Sequence, residues 1–418
     1  MNSEMLYALR DVAGVPSHPI VFLVLGVLTF ALHIAAVQVM LGGTALVLAN
    51  AFSRNPMRRR LAAAMTTTAK IAVSVAVVLG VAPLLFVQVT YDPFWYTSNV
   101  LSAWWVVGFI VLLIVGYMAL YFFYSRNHHL DDPQHDTRSG WSLVAALALF
   151  LVVGFIMHVL TQQMLSPEKW MSWYAPGGVI EPRGRTLHDY NLWRFGFFIA
   201  LAAPVTGAWL FAYRRYLSAG QLAEANYLQW VGALASKMLN IGGVIALVFL
   251  GGWMATLPAN IAGFATSPIV LLSVALLLLT VALPTVLGQR TLHTSLGYAP
   301  FALGAVALIA VAALREVLRW TVLKGIHGYD VFTYPVHLDW YSNVLFFSTF
   351  ALIGGSTLAY FLTIAWKVGQ TPKGQIYTPS AAIDRIGTVS GSCSSSSSAS
   401  SSGRDKDFVC DFNTSSWS

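Results

Sequence analysis

Two histidines, His33 in FALHIAAVQVMLGG and His158 in LVVGFIMHVLTQQ, stand inside long runs of aliphatic residues. An imidazole in such surroundings loses its hydration and recovers it through a hydrogen bond, a water-filled cavity or a metal. Counted from Asn50 and Gly140, where those runs begin on one side, they lie about 17 and 18 residues in, roughly 25–27 Å at 1.5 Å per residue. Two imidazoles at one height on different helices supply the axial nitrogens of a low-spin haem b, or one nitrogen each for two haems with other axial partners. The plainer alternative is that each bonds a neighbouring carbonyl or side chain. For His158, Gln162 at i+4 shares its face.

Met40, Met157, Met238 and Met254 are the thioethers within reach of such a site, and Met254 in GGWMATLP has a suitable depth on the same side as the histidines. Most of the eleven methionines are gap-filling packing. In APFALGAVALIAVAALREVLRW, Arg315 and Arg319 are one turn apart at the outer end of an apolar run, so their guanidinium groups can converge on one anion such as a propionate. The competing reading is a pair of snorkelling interfacial arginines with Glu316 as local partner.

The elements that must hold these residues follow from composition. Hydrophobic residues make up 57% of the 418-residue chain and charged residues 10%, and mean hydropathy is +0.66, against about 25% charged in a soluble domain. The expected fold class is therefore an all-α polytopic membrane protein. Apolar stretches near 20–50, 66–90, 100–124, 141–165, 193–213, 231–256, 267–288, 298–319 and 343–366 are each long enough to cross a bilayer, which takes about 20 residues. They predict a bundle of about nine transmembrane helices over 1–370. After about Lys373 the Ser-rich SGSCSSSSSASSSGRDKDFVCDFNTSSWS cannot bury a core, so 371–418 is expected to be a disordered cytoplasmic tail.

The net charge of +7 is not a sign of nucleic-acid binding, because most of the basic residues fall in short loops. Arg54, Arg58, Arg59 and Arg60, then Arg126, Arg138, Arg214, Arg215, Arg290 and Lys367, lie on one side, which the positive-inside rule makes cytoplasmic. The N-terminus is then outside and the C-terminus inside. Lys169, Arg183, Arg185, Arg315, Arg319 and Lys324 oppose this from longer outer segments, 166–195 and 314–343, which are also rich in Trp and Tyr. Those segments read as an aromatic interfacial belt or as a docking surface, or a quinone or propionate site. The only two cysteines, Cys393 and Cys410, lie in the tail, so there is no disulfide framework in the bundle, and no C-x-x-C-H for covalent haem. No internal repeat is evident, which weakens an inverted-repeat transporter.

The first-helix segment LHIAAVQVMLGG, the external N-terminus, the helix number and the basic first loop resemble subunit I of cytochrome bd-type quinol oxidases. The closer likeness is to their divergent relatives, membrane cytochrome subunits of bacteria rich in multihaem c cytochromes. GVAPLLFVQVTYDPFWYTSNVLSAWW and LREVLRW are similar to segments of the same relatives. The resemblance implies that His33 ligates a b-type haem; it says nothing of His158, which rests on depth. The oxidases' third-helix acidic residues and their G-R-Q-P-W quinol loop are missing here. Terminal oxygen reduction is therefore not expected.

Together these readings give a multi-pass subunit of a bacterial inner membrane with one or two haems b and a quinone ligand. His33, His158, Met254, Arg315 and Arg319 are its candidate cofactor residues. It would pass electrons between the quinone pool and a periplasmic c-type cytochrome partner. Two alternatives stay open: a transporter or channel lined by Lys70, Gln88, His158, Gln162, Lys237 and Asn240, and a haem-less anchor with the same fold.

Overall fold

A computed structural model describes residues 3–127 and 137–357, together with 359, 360, 363 and 367. The tail 371–418 lies outside the described residues. The chain up to Tyr360 forms one compact unit, predominantly helical among its described residues, with irregular connecting segments and one isolated bridge between Val15 and Val336.

Among the described residues, eight helices are long and apolar enough to cross a membrane. They are α1 (Pro19–Asn50), α2 (Pro56–Thr90), α4 (Ala103–Asn127), α5 (Gly140–Gln163), α6 (Leu192–Ala219), α7 (Ala225–Ala255), α8 (Pro268–Leu287) and α9 (Ala299–His327). A shorter helix, α3 (Asp92–Leu101), turns the chain from α2 into α4. The ninth apolar stretch begins as α10 (Trp340–Thr349) and continues through Phe350–Gly354, with the rest of 343–366 only partly among the described residues.

Local chemistry sets the helix ends. Pro56 opens α2 behind Asn55, whose side chain accepts the Met57 N–H at 2.9 Å. The α9 helix stops at Gly328 in the left-handed region (φ 65), where the Tyr329 N–H returns to the Leu323 carbonyl at 2.9 Å. That stop falls later than the sequence suggests. The charged run LREVLRW reads as the end of a span near 319, but the helix runs on to His327, leaving Arg315, Glu316 and Arg319 inside it. Inside α2, Pro83 removes one rung of the backbone ladder.

Without a hydrophobic driving force in lipid, helices associate by close contact of small residues. A side chain at Gly42 of α1 would collide with Thr206 of α6, its Cβ falling 2.0 Å from Oγ1. Gln38 of the same helix donates to the Phe198 carbonyl of α6 at 2.7 Å.

The end of the bundle that carries the N-terminal segment, α3 and the 164–191 and 328–339 segments is rich in aromatic rings; the opposite end carries Arg58, Arg59, Arg60, Arg214 and Arg215. At the aromatic end Leu6, Phe94, Trp170 and Tyr329 pack into one buried cluster. Arg10 clasps that cluster. Its guanidinium stacks on Tyr7, Tyr329 and Tyr334 at 4.4–4.7 Å and donates to the Tyr329 hydroxyl at 2.9 Å and the Asp330 carbonyl at 2.6 Å.

Candidate functional site

Between α1, α2, α5 and α9 lies a cavity of about 390 Å³, within the usual range for ligand sites. His33 and His158, predicted at matching depth from different helices, both line it, and so do Arg315 and Arg319. Met254 does not. It is buried in a separate cluster with Phe197, Leu250 and Trp253, while Met40 and Met157 are the methionines on the cavity wall.

The two imidazoles are held differently. His33 Nδ1 lies 2.9 Å from the Ala76 carbonyl of α2. A carbonyl only accepts, so Nδ1 carries the proton and Nε2 keeps its lone pair, with no hydrogen-bond partner among the described residues. Gly80 makes room for the ring: a Cβ there would sit 2.9 Å from His33 Cε1. His158 instead accepts the backbone N–H of Asn191 through Nε2 at 3.0 Å. The plainer reading of an imidazole bonded to a neighbouring segment therefore describes both rings, His33 through the Ala76 carbonyl and His158 through the Asn191 N–H rather than Gln162; they differ in that His33 leaves Nε2 unengaged.

Gln162 serves a residue that sequence reading did not single out. Arg194, in the first turn of α6, donates to Gln162 Oε1 at 2.7 Å and to Thr161 Oγ1 at 3.2 Å. It lines the same cavity and is only 6% exposed. Among the described residues it has no carboxylate partner.

Beside it, Arg319 Nη1 donates to Glu316 Oε2 at 2.9 Å, and Arg315 Nη2 lies 3.7 Å from the same oxygen. The Tyr91 hydroxyl donates to the other carboxylate oxygen at 2.7 Å. Arg315 also stacks 3.6 Å over Phe30. Two guanidinium groups thus meet one carboxylate, with Arg194 on the same cavity wall, where little water reaches. Arg319 is 4% exposed, which rules out a snorkelling role. A buried excess of cations is costly unless an anion offsets it.

Further polar atoms on the lining residues are buried without partners: Trp95 Nε1, Arg315 Nε and Gln38 Oε1. Most of the remaining wall is aliphatic or aromatic. A haem b needs an axial nitrogen, flat apolar walls and cations for its two acid side chains. Those needs are met by His33 Nε2, by the faces of Phe30, Phe195 and Phe198, and by the three arginines. The residues present therefore fit the group, and His33 Nε2 is the nitrogen free to ligate it. Among the described residues, no group of three or more His, Cys, Asp or Glu side chains could hold a bare metal ion.

The segment 80–105 caps the bundle: Ser98 of α3 donates to the Leu160 carbonyl at 2.7 Å. It also enters the site through Tyr91 and Trp95. Of the intramembrane polar residues that a transport pathway would use, His158 alone lines the cavity; Lys70, Gln88, Gln162, Lys237 and Asn240 do not. No protein-family model matches the chain, and no curated protein matches it.

Proposed function

We propose that this chain is a haem-b cytochrome subunit of a bacterial cytoplasmic membrane, passing electrons between the quinone pool and a c-type cytochrome docked at the aromatic end. The observation that supports it best is the pairing of an unengaged His33 Nε2 with an excess of buried guanidinium charge in one apolar cavity.

Bound in that cavity, haem b would supply one-electron exchange between ferric and ferrous iron. The chain's own residues do the rest. The Ala76 carbonyl fixes the tautomer and orientation of His33, as an outer partner does for a ligating imidazole. Arg194, Arg315 and Arg319 bind acid groups and offset them electrostatically. Glu316, held by Tyr91 and Arg319, keeps that corner from carrying all three cations uncompensated. Phe30 and Trp95 exclude water. The positive-inside rule puts the arginine end in the cytoplasm and the aromatic end outside, where the partner cytochrome would dock.

The test is a dithionite-reduced minus oxidised spectrum of the purified full chain with pyridine haemochrome quantification. A b-type α-band is expected in the wild type and is lost in His33→Ala. A folded, monodisperse protein without haem overturns the reading.

A further inference from the structure

On the lipid side of the cavity, one turn toward the arginine end, α2 and α4 present a polar group in an otherwise apolar surface. Ser74 Oγ lies 3.1 Å from both the Tyr117 and Tyr121 hydroxyls, and those two rings stack at 4.5 Å. Lys70, one turn away on α2, holds its ammonium 3.8 Å over the Tyr124 ring. Lys70 has no carboxylate partner among the described residues. All five side chains are only partly buried. An intramembrane lysine beside three tyrosines on a lipid-facing surface needs a reason.

Donor accounting gives the group a chemical preference. Ser74 also donates to the Lys70 carbonyl at 3.1 Å. With its proton committed there, its oxygen accepts from both tyrosines, so the phenolic oxygens are left as acceptors and the Lys70 ammonium as a donor. A molecule with two oxygens that alternate between carbonyl and hydroxyl suits both.

Depth narrows the class further. Tyr117 is about ten residues, or roughly 15 Å, from the Asn127 end of α4. With a hydrocarbon core of about 30 Å, that places its backbone well below the head groups. A phospholipid phosphate at such depth would carry its charge into hydrocarbon. A neutral ring on an isoprenoid tail belongs there, and Ile71, Val75 and Val78 of α2 with Ile110, Ile114 and Met118 of α4 offer an exposed apolar track for the tail.

We propose that Lys70, Ser74, Tyr117 and Tyr121 form the head-group site of a quinone entering from the bilayer on the arginine side of the cavity. Lys70 donates to one quinone oxygen, and in the reduced form a quinol hydroxyl donates to a phenolic oxygen. Val73 and Val77 of α2 and Leu113 of α4 line the cavity within one helical turn of Ser74 and Tyr117. The bound head would therefore lie about one turn, some 5 Å along the helices, from the cavity wall. The role of this site rests on the electron-transfer reading; the binding itself does not.

The experiment is photolabelling of the full chain in phosphatidylcholine–phosphatidylglycerol nanodiscs with an azido-ubiquinone, competed by decylubiquinone and mapped by peptide mass spectrometry. Competable label is expected on the α2 and α4 peptides that carry Ser74, Tyr117 and Tyr121. Tyr117→Phe and Lys70→Met should each reduce it about tenfold, and Tyr117→Phe preserves the packing if Lys70→Met does not fold. His33→Ala should leave the label in place, so a failed haem reading does not mask this result. Label confined to the aromatic-end segments, or label unchanged in both variants, overturns the proposal. So does loss of co-purifying phosphatidylglycerol in Lys70→Met while labelling persists.

Discussion

Glu316 is the residue on which the cavity's charge balance turns, since among the described residues it alone faces Arg315 and Arg319 with a negative charge. Glu316→Gln is expected to lower stability by about 3–5 kcal/mol, the usual cost of breaking a buried ion pair from one side. Thermal unfolding in detergent checks this, and added haem should recover part of the loss if acid groups enter the cavity. Gly80→Val tests the other wall. Because a Cβ there already reaches the His33 ring, the variant should retain its fold yet bind less haem, read by pyridine haemochrome. At this scale the sequence placed both histidines at the depth of one cavity, which they line, because depth along a helix is countable from loop to loop. It did not carry Arg194, which stands in a Trp- and Arg-rich segment that reads as an interfacial belt, and only the start of α6 at Leu192 turns it inward. Met254 was chosen on depth, but depth does not give the rotation of α7, which turns that thioether away from the cavity.

Among the elements, helix existence was legible from unbroken apolar runs, whereas helix ends were blurred wherever charge enters a helix. Arg315, Glu316 and Arg319 imitate a boundary because isolated charges in lipid are expensive; pairing with Glu316, which offsets one of the two positive charges, lets α9 continue for two more turns. Small residues at helix crossings were equally silent, since a glycine's neighbour cannot be read from its own segment. Gly42→Leu is expected to separate α1 from α6, given how closely Thr206 approaches it, and to lower the yield of folded protein by size-exclusion chromatography. The same variant should leave helix content by circular dichroism unchanged. At the aromatic end, Arg10→Ala removes three ring contacts and the bonds to Tyr329 and Asp330. It should cost about 1–3 kcal/mol locally, seen as faster proteolysis of residues 3–18 with the bundle intact.

For the molecule as a whole, the aromatic end is where pH acts, and its groups pull in opposite directions. Burial holds His188, stacked on Trp173, below its usual 6.5, so the folded state binds fewer protons and stability falls as pH drops below 6.5. Asp330 behaves in the same sense at lower pH. Burial works against its carboxylate, but hydrogen bonds from Lys324, the Phe332 N–H and Trp320 hold it below the usual 3.8, so its contribution is present above that pH and lost through the folded-state value. Asp92 is the reverse: burial raises it despite bonds from Tyr334 and the Asp11 N–H, so its contribution is present below 3.8 and lost as pH rises through its folded value. Protection factors for hydrogen exchange across 164–191, with the intrinsic pH dependence of exchange divided out, should therefore fall between neutral pH and pH 5, and His188→Gln should abolish that change. The Arg10 clasp also has a bearing on biogenesis. Its partners Tyr329 and Asp330 stand some 320 positions downstream, and at ordinary translation rates of about 5–20 residues per second they emerge roughly 15–60 s after it. During that interval the arginine has only Tyr7 of its three rings, so the clasp is among the last contacts to close.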